Sequence, residues 1–572
     1  MSHELVLIAA AGLAISIAAA VFARRTGVAA PLLLVAFGIG ASLLPGTPTL
    51  GIEPELILAG VLPPLLYASA VQLPVIDLRR NLSLITWLSV VMVIVSALVV
   101  GLLVHLVFPA IPLGLGIALG AVVSPTDAVA ATAVGRRVGL PPRLMTILEG
   151  ESLVNDASAL VVLRTALAAI GTGSAFSLGG TIGDFAWAVV GAGLVGWLVA
   201  WVTALVRQRL DDPVLNTTIS FITPFLAYVP AEEIHASGVL AVVVAGLVTG
   251  AMGARRFSAR DRQTQTTTWA TINFILESGV FLALGYELPV LVDDARAETS
   301  VGQVVGMVSL VLVTLVVLRA AGLAWPALTG RFGRGDRNAR VRERLDLIEQ
   351  RVEGWEPKDD REETRLHWAR RRIDRASADI AFEEREPITA RGHLILAWAG
   401  MRGVVTLAAA QTIPTETAHR DTVVLVACLV AMVSLALFGL TLPALIRRLD
   451  LPSVGPARRR DEVLTLMRQI GEDATDALGP LDAQTIDGEP LDPAVVTVLK
   501  DRFLPMLLSG VRSGVAAKPG QREQAFIIQR RYLDALREGL LRERSVGAFS
   551  TETYKHVEAI LDREEQRLGS PG

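Results

Sequence analysis

The stretch Leu148-Glu-Gly-Glu-Ser-Leu-Val-Asn-Asp156-Ala-Ser opens an apolar run that continues to about residue 170. On a helix, Glu151, Asn155 and Ser158 fall at i, i+4 and i+7, and Ser152 and Asp156 fall at i and i+4 on the adjoining stripe. Carboxylate, hydroxyl, amide and carboxylate groups therefore share one broad face. An ionisable side chain near the bilayer centre costs at least ~2.5–3.5 kcal/mol on insertion scales, so such a face must look into protein or water.

The surrounding chain is a membrane sequence. Of its 572 residues 52% are apolar and only 19% charged. A span needs ~20 largely apolar residues to cross ~30 Å of hydrocarbon. Thirteen such runs lie at about 4–22, 28–45, 53–73, 82–108, 111–134, 144–170, 182–206, 213–231, 237–254, 267–289, 300–328, 391–412 and 422–446. Alternate loops carry Arg24 and Arg25, Arg79 and Arg80, Arg136, Arg137 and Arg143, Arg207 and Arg209, Arg255, Arg256, Arg260 and Arg262, then Arg447 and Arg448. The intervening loops carry only Arg296 and Arg420. That alternation is the positive-inside pattern and predicts an N-terminus outside and a C-terminus in the cytoplasm. Leu5 to Phe22 is followed, not preceded, by basic residues, so it is expected to be a span and not a secretory signal.

The fold class expected is thus an all-α polytopic membrane protein, with a transmembrane domain at 1–450 and a cytoplasmic helical domain at 451–572. A charged insert at 330–390 places Leu345, Ile348, Val352 and Trp355 at helical spacing, with Pro357 ending that helix. In the tail, helices are expected over Gln524–Arg544 and Ser550–Leu568, the second with Tyr554, Val557, Leu561 and Leu568 on one face. No phosphate loop, metal cluster or nucleotide fingerprint occurs, so no cofactor is expected. The net charge of -3 gives no electrostatic reason for a nucleic-acid partner. A single cysteine, Cys428, permits no intrachain disulfide.

Two other spans carry polar breaks. Span five reads Gly120-Ala-Val-Val-Ser-Pro-Thr-Asp127, where Pro125 lacks an N–H and disfavours helix at Ser124, freeing carbonyls near Asp127. In span twelve Gly400 and Gly403 bracket Arg402 and loosen that helix likewise. Broken backbone at membrane depth is tolerated where it lines a cavity. The two breaks sit seven spans apart, so they cross in opposite directions, as an inverted repeat requires. Oxygen ligands at Asp156, Asp127, Ser152 and the carbonyls around Thr126 suit a hard monovalent cation. A partly dehydrated carboxylate holds either a proton or a cation, and competition for one site is already an exchange mechanism. Arg319, in the same half of its span as Glu151, is expected to pair with it.

Taken together, Gly150-Glu-Ser-Leu-Val-Asn-Asp156, Ser124-Pro-Thr-Asp127, Arg319, Gly400-Met-Arg402-Gly-Val-Val and Leu62-Pro-Pro-Leu-Leu-Tyr67 resemble the monovalent cation:proton antiporter-1 family over about residues 5–447. The tail, with Arg531-Tyr-Leu-Asp-Ala-Leu-Arg-Glu-Gly, is similar to that of the bacterial forms. The resemblance implies a homodimer of thirteen-helix protomers exchanging sodium, lithium or potassium for protons. It implies a site of Asp156, Asp127, Ser152 and the Thr126 backbone, with Asn155 structural and Glu151 paired to Arg319. Arg402, read from its place between the two glycines, is expected as a structural charge that neutralises the broken helix ends. The Asn-Asp pair resembles the electroneutral branch. Where many prokaryotic relatives carry an acid after the Leu-Pro-Pro-Leu-Leu aromatic, this chain has Ala68.

Rival readings are an intramembrane aspartyl protease using Asp127 and Asp156, and a cation channel. Buried arginines argue against the first, and the lack of a ring of like charge against the second. Arg164 and Glu277 are expected to pair, with each other if the fold allows it, and carry no assigned role. Glu149 reads as a solvated acid near the mouth of span six, and His393 is the single candidate pH sensor.

Overall fold

Proline, glycine and the helix-end charges decide where this chain stops being helical. The computed structural model describes residues 3–26, 28–44, 55–172, 178–210, 212–296, 298–331, 334–353, 355, 358–449, 456–486, 489–498 and 519–569. These divide into two units, Met1–Arg256 with Thr264–Gly330 and Ile388–Pro452, and Phe257–Gln263 with Arg331–Pro387 and Ser453–Gly572.

The first unit begins with α1 (His3–Thr26), α2 (Ala30–Ser42), α3 (Leu62–Gln72, entered through a π-turn), α4 (Val75–Thr86) and α5 (Met92–Val107). Next come α6 (Leu113–Val123), α7 (Ala128–Val138), α8 (Pro142–Thr172), α9 (Leu178–Arg207), α10 (Pro213–Glu233) and α11 (Gly238–Arg256). The long helices α12 (Ala259–Arg296) and α13 (Val301–Arg331) follow. After the insert helices α14 (Arg334–Glu353) and α15 (Asp360–Arg385), the chain returns as α16 (Ala390–Trp398), α17 (Val404–Gln411) and α18 (Arg420–Leu449). Among the described residues eight helices are long and apolar enough to cross a membrane, and four shorter ones are apolar. Exposed leucines such as Leu98, Leu102 and Leu106 on α5 give that helix a lipid-compatible outer face.

Span four starts earlier than its apolar run. Helix α4 includes Arg79 and Arg80, because Asp77 favours the first turn and Arg143 donates to Asn81 Oδ1 at 2.9 Å. Close helix approach rests on small residues: a Cβ at Gly120 on α6 would stand 2.8 Å from Ala97 Cα on α5. Both polar breaks are present as gaps in helix, Ser124–Asp127 between α6 and α7, and Ala399–Gly403 between α16 and α17.

The second unit has its own apolar core. α19 (Pro456–Leu478), a two-stranded hairpin of β1 (Thr485–Ile486) and β2 (Glu489–Pro490), and α20 (Pro493–Val498) precede α21 (Pro519–Val546) and α22 (Thr551–Gly569). Tyr554, Val557 and Leu561 are buried in this core beside Ile470, Ile528 and Leu536, with Leu568 packed against it. The insert departs from its expected stripe: Val352 is buried with Leu366 and Ile373, but Ile348 and Trp355 are exposed. The α14–α15 hairpin is too narrow to cover a four-residue face. Pro357 lies outside the described residues. Arg375 Nε donates to the Ser545 carbonyl at 2.8 Å, tying α15 to α21 within this unit.

Candidate functional site

The site grows from the two helix breaks. Pro125 cannot donate a backbone hydrogen bond, so α6 ends at Val123 with open carbonyls. Asp127 then caps α7, its Oδ1 accepting from the Val129 N–H at 2.7 Å. The Asp127 N–H in turn donates to the Met401 carbonyl at 2.7 Å, which joins one break to the other. Gly403 is required at this junction, because a Cβ there would lie 2.5 Å from the Cβ of Asp127.

Fixed charges neutralise the exposed helix ends. Arg402 is 3% exposed; its Nε donates to the Val123 carbonyl at 3.0 Å and its Nη1 to the Gly400 carbonyl. Arg319 Nε donates to Leu396 O at 3.1 Å, at the C-terminal end of α16. A cation at each C-terminal end and a carboxylate at the N-terminal end of α7 follow the sign of the helix dipole.

Glu151 ties the breaks to α8. It is 1% exposed and accepts from Arg319 Nη1 at 2.6 Å and Nη2 at 3.0 Å, a bidentate pair. Thr126 Oγ1 donates to Glu151 Oε1 at 2.9 Å, and Asn155 Nδ2 donates to Thr126 Oγ1 at 2.9 Å. Asn155 Nδ2 also reaches the Thr126 carbonyl at 3.4 Å. Ser152 Oγ accepts from the Ala128 N–H at 3.3 Å. Glu151, Asn155 and Arg319 therefore hold the unwound Thr126 segment, while Asp127, Asp156, Ser152 and Thr126 line a cavity of about 370 Å³.

Asp156 is 6% exposed, and among the described residues no donor engages its carboxylate. Among the described residues Asn155 Oδ1, Asn273 Oδ1 and Thr406 Oγ1 are also buried without a hydrogen-bond partner. Asn273 and Glu277 reach the cavity from α12, and Thr406 from α17. Sequence reasoning did not place these three in the site. The available signal was the i, i+4 spacing of Asn273 and Glu277 on α12. Among the described residues no three of His, Cys, Asp and Glu converge closely enough to hold a metal ion. The polar side chains on the cavity wall include the carboxylates of Asp127 and Asp156, the hydroxyls of Ser152 and Thr406 and the amide of Asn273.

Other candidates fall elsewhere. Arg164 pairs with Glu232 of α10 at 2.8 Å and not with Glu277, because Glu232 ends the neighbouring helix at the depth Arg164 occupies. His393 is buried on α16, its Nδ1 3.0 Å from the Thr389 carbonyl oxygen. Ala68 is 1% exposed, which leaves no carboxylate at that place on α3.

Paired broken helices, end-neutralising charges and a buried carboxylate without a donor among the described residues meet at one cavity of a chain rich in apolar helices. The chain belongs to the family described as sodium/hydrogen exchanger, transmembrane, whose profile matches residues 12–448. An uncharacterised Na(+)/H(+) exchanger of Mycobacterium bovis is 26% identical over 562 residues, 96% of this chain and 94% of that protein. A sodium, potassium, lithium and rubidium/H(+) antiporter of Bacillus pumilus is 30% identical over 73% of this chain and 58% of its own length. The fold is similar to that of the sodium proton antiporter MjNhaP1 from Methanocaldococcus jannaschii, with a TM-score of 0.55 at 18% identity over 78% of this chain and 98% of that one. This membership sets aside the aspartyl protease reading, since the relatives are transporters.

Proposed function

We propose that the protein exchanges sodium for protons across the inner membrane, with Asp156 carrying either ion in turn. One observation carries this reading: Asp156 is a buried carboxylate on the cavity wall with no donor among the described residues. A bare charge there is costly, and a bound proton or cation relieves it. Asp127, Ser152 and the Thr126 carbonyl complete the cation site, while Asn155, Glu151, Arg319 and Arg402 hold the broken helices in register. The loaded site crosses by alternating access and the empty charged site does not, which couples the two ions.

Asn155 beside Asp156 supplies no second titrating acid, so exchange is electroneutral, one cation for one proton. The chain crosses the bilayer thirteen times with its N-terminus outside, its breaks form the crossing helices of an inverted repeat, and two copies form a homodimer. Residues 1–450 transport; the insert at 330–390 and the tail at 451–572 lie in the cytoplasm. A second reading, potassium/proton exchange at the same site, is favoured by the breadth of ions in the name of the Bacillus pumilus relative.

Proteoliposomes with an internal pH dye test both. Sodium, lithium, potassium and rubidium are added in turn to wild type and to Asp156→Asn. Wild type is expected to alkalinise with sodium, and Asp156→Asn to be silent while eluting as a folded species. Exchange at the wild-type rate in that variant would remove Asp156 from the mechanism.

A further inference from the structure

The cavity that holds Asp156 is also lined by an exposed ion pair, Glu149 with Arg136. Glu149 stands on α8 at i relative to Ser152 at i+3 and Asp156 at i+7, so the three share one stripe of the helix. At 1.5 Å per residue Glu149 lies ~10 Å from Asp156 along the axis. All three line the same cavity. Exposure falls along the stripe: the Glu149 side chain is 28% exposed and Asp156 is 6% exposed. Glu149 therefore stands at the wet end of a ladder of oxygens. Across the mouth, Arg136 of α7 also lines the cavity, and its Nη2 meets Glu149 Oε1 at 2.9 Å with a side chain 70% exposed.

We propose that Glu149 is the capture group for the incoming cation and that Arg136 is its built-in competitor, an intramolecular cation that occupies Glu149 until a solvent cation displaces it. This rests on the exchange reading above and deepens it. The physical argument is one of magnitude. An exposed ion pair is worth at most about 1 kcal/mol, so a free cation at working concentration competes with it, which a buried bidentate pair such as Glu151–Arg319 forbids. While paired, Arg136 cancels the charge that would concentrate cations at the mouth. Separated from Arg136, Glu149 attracts a cation one helical turn above Ser152. The pair thus sets apparent affinity without touching the translocating groups.

Sodium-dependent proton movement in proteoliposomes of the full chain tests this, read as KM and maximal rate at low ionic strength with choline chloride as the inert salt. Arg136→Ala is expected to lower KM about two- to fivefold, the range an exposed pair commands, with maximal rate held within about twofold. Arg136→Lys keeps the competing charge and is expected to stay near wild type. Glu149→Gln is expected to raise KM, and the double variant to match Glu149→Gln alone, because the competitor has nothing left to occupy. Raising choline chloride to a Debye length of ~3 Å should erase the difference between Arg136→Ala and wild type. An unchanged KM in Arg136→Ala, or an equal drop in the Glu149→Gln background, overturns the inference while leaving the exchange reading intact. No sodium-dependent proton movement in wild type overturns both.

Discussion

Glu151 shows how one residue, by side chain and backbone, joins four segments of the chain. It lies on α8, receives two bonds from Arg319 of α13, and holds Thr126 of the break after α6, while Ser89 Oγ donates to its backbone carbonyl at 3.1 Å. Removing either partner strands a buried charge, at a cost of ~3–5 kcal/mol when the remaining one is fully desolvated. Glu151→Gln and Arg319→Ala are each expected to lower the melting temperature of the solubilised protein. The double variant should recover part of that loss, since it leaves no lone charge. A coupling energy near zero in this cycle would mean the pair adds nothing that its members do not contribute separately. The spacing of the quoted stretch made the polar face of α8 legible, because helical periodicity alone decides which residues share a side. It could not show that Asn155 points its amide at Thr126, since that contact joins residues 29 apart through a break whose path no local rule dictates.

At the scale of elements, the two interrupted helices meet at a backbone contact, Asp127 N–H to Met401 O, that leaves no room for a side chain on Gly403. Gly403→Ala is expected to push the Asp127 side chain off the N-terminus of α7. The overpacking costs about 1–3 kcal/mol, and we expect transport to fall at least tenfold, since the ligand moves. Gly279→Ala on α12, where a Cβ meets nothing within 4 Å, is the matched control. Its transport should be unchanged and its stability equal or up to about 1 kcal/mol greater, from helix propensity. Equal transport in the two variants would show that the position of Asp127 is not critical. Both breaks were readable from Pro125 and from Gly400 with Gly403, because these residues act locally on the backbone. The insert was less so: a stripe of four apolar residues was visible, but which of them a two-helix hairpin covers depends on its partner helix, and Ile348 and Trp355 stayed outside.

For the whole molecule, the proposed one-for-one exchange moves no net charge. An imposed potential should leave the rate of sodium-driven proton movement unchanged in proteoliposomes made selectively permeable with valinomycin and potassium. Net movement of one charge would couple to voltage at ~2.3 kcal/mol per 100 mV, a several-tens-fold bias that such a measurement resolves easily. A steep voltage dependence would bring Glu277 or Asp127 in as a second titrating group, and both already line the cavity.

The sequence by itself determined the membrane class, the polar face of α8, the two breaks and the family, because each of these is written in local composition, periodicity or a contiguous motif. Tertiary structure alone decided which distant groups became neighbours. It brought Asn273 and Glu277 of α12 and Thr406 of α17 to one cavity, gave Arg164 to Glu232, and set Arg136 against Glu149. The reason is physical: a helix fixes the angle of each side chain about its own axis, but the rotation and depth of one helix against the next are set by packing around small residues such as Gly120 and Gly403. That packing is a property of pairs of elements, and no single stretch of the chain contains it.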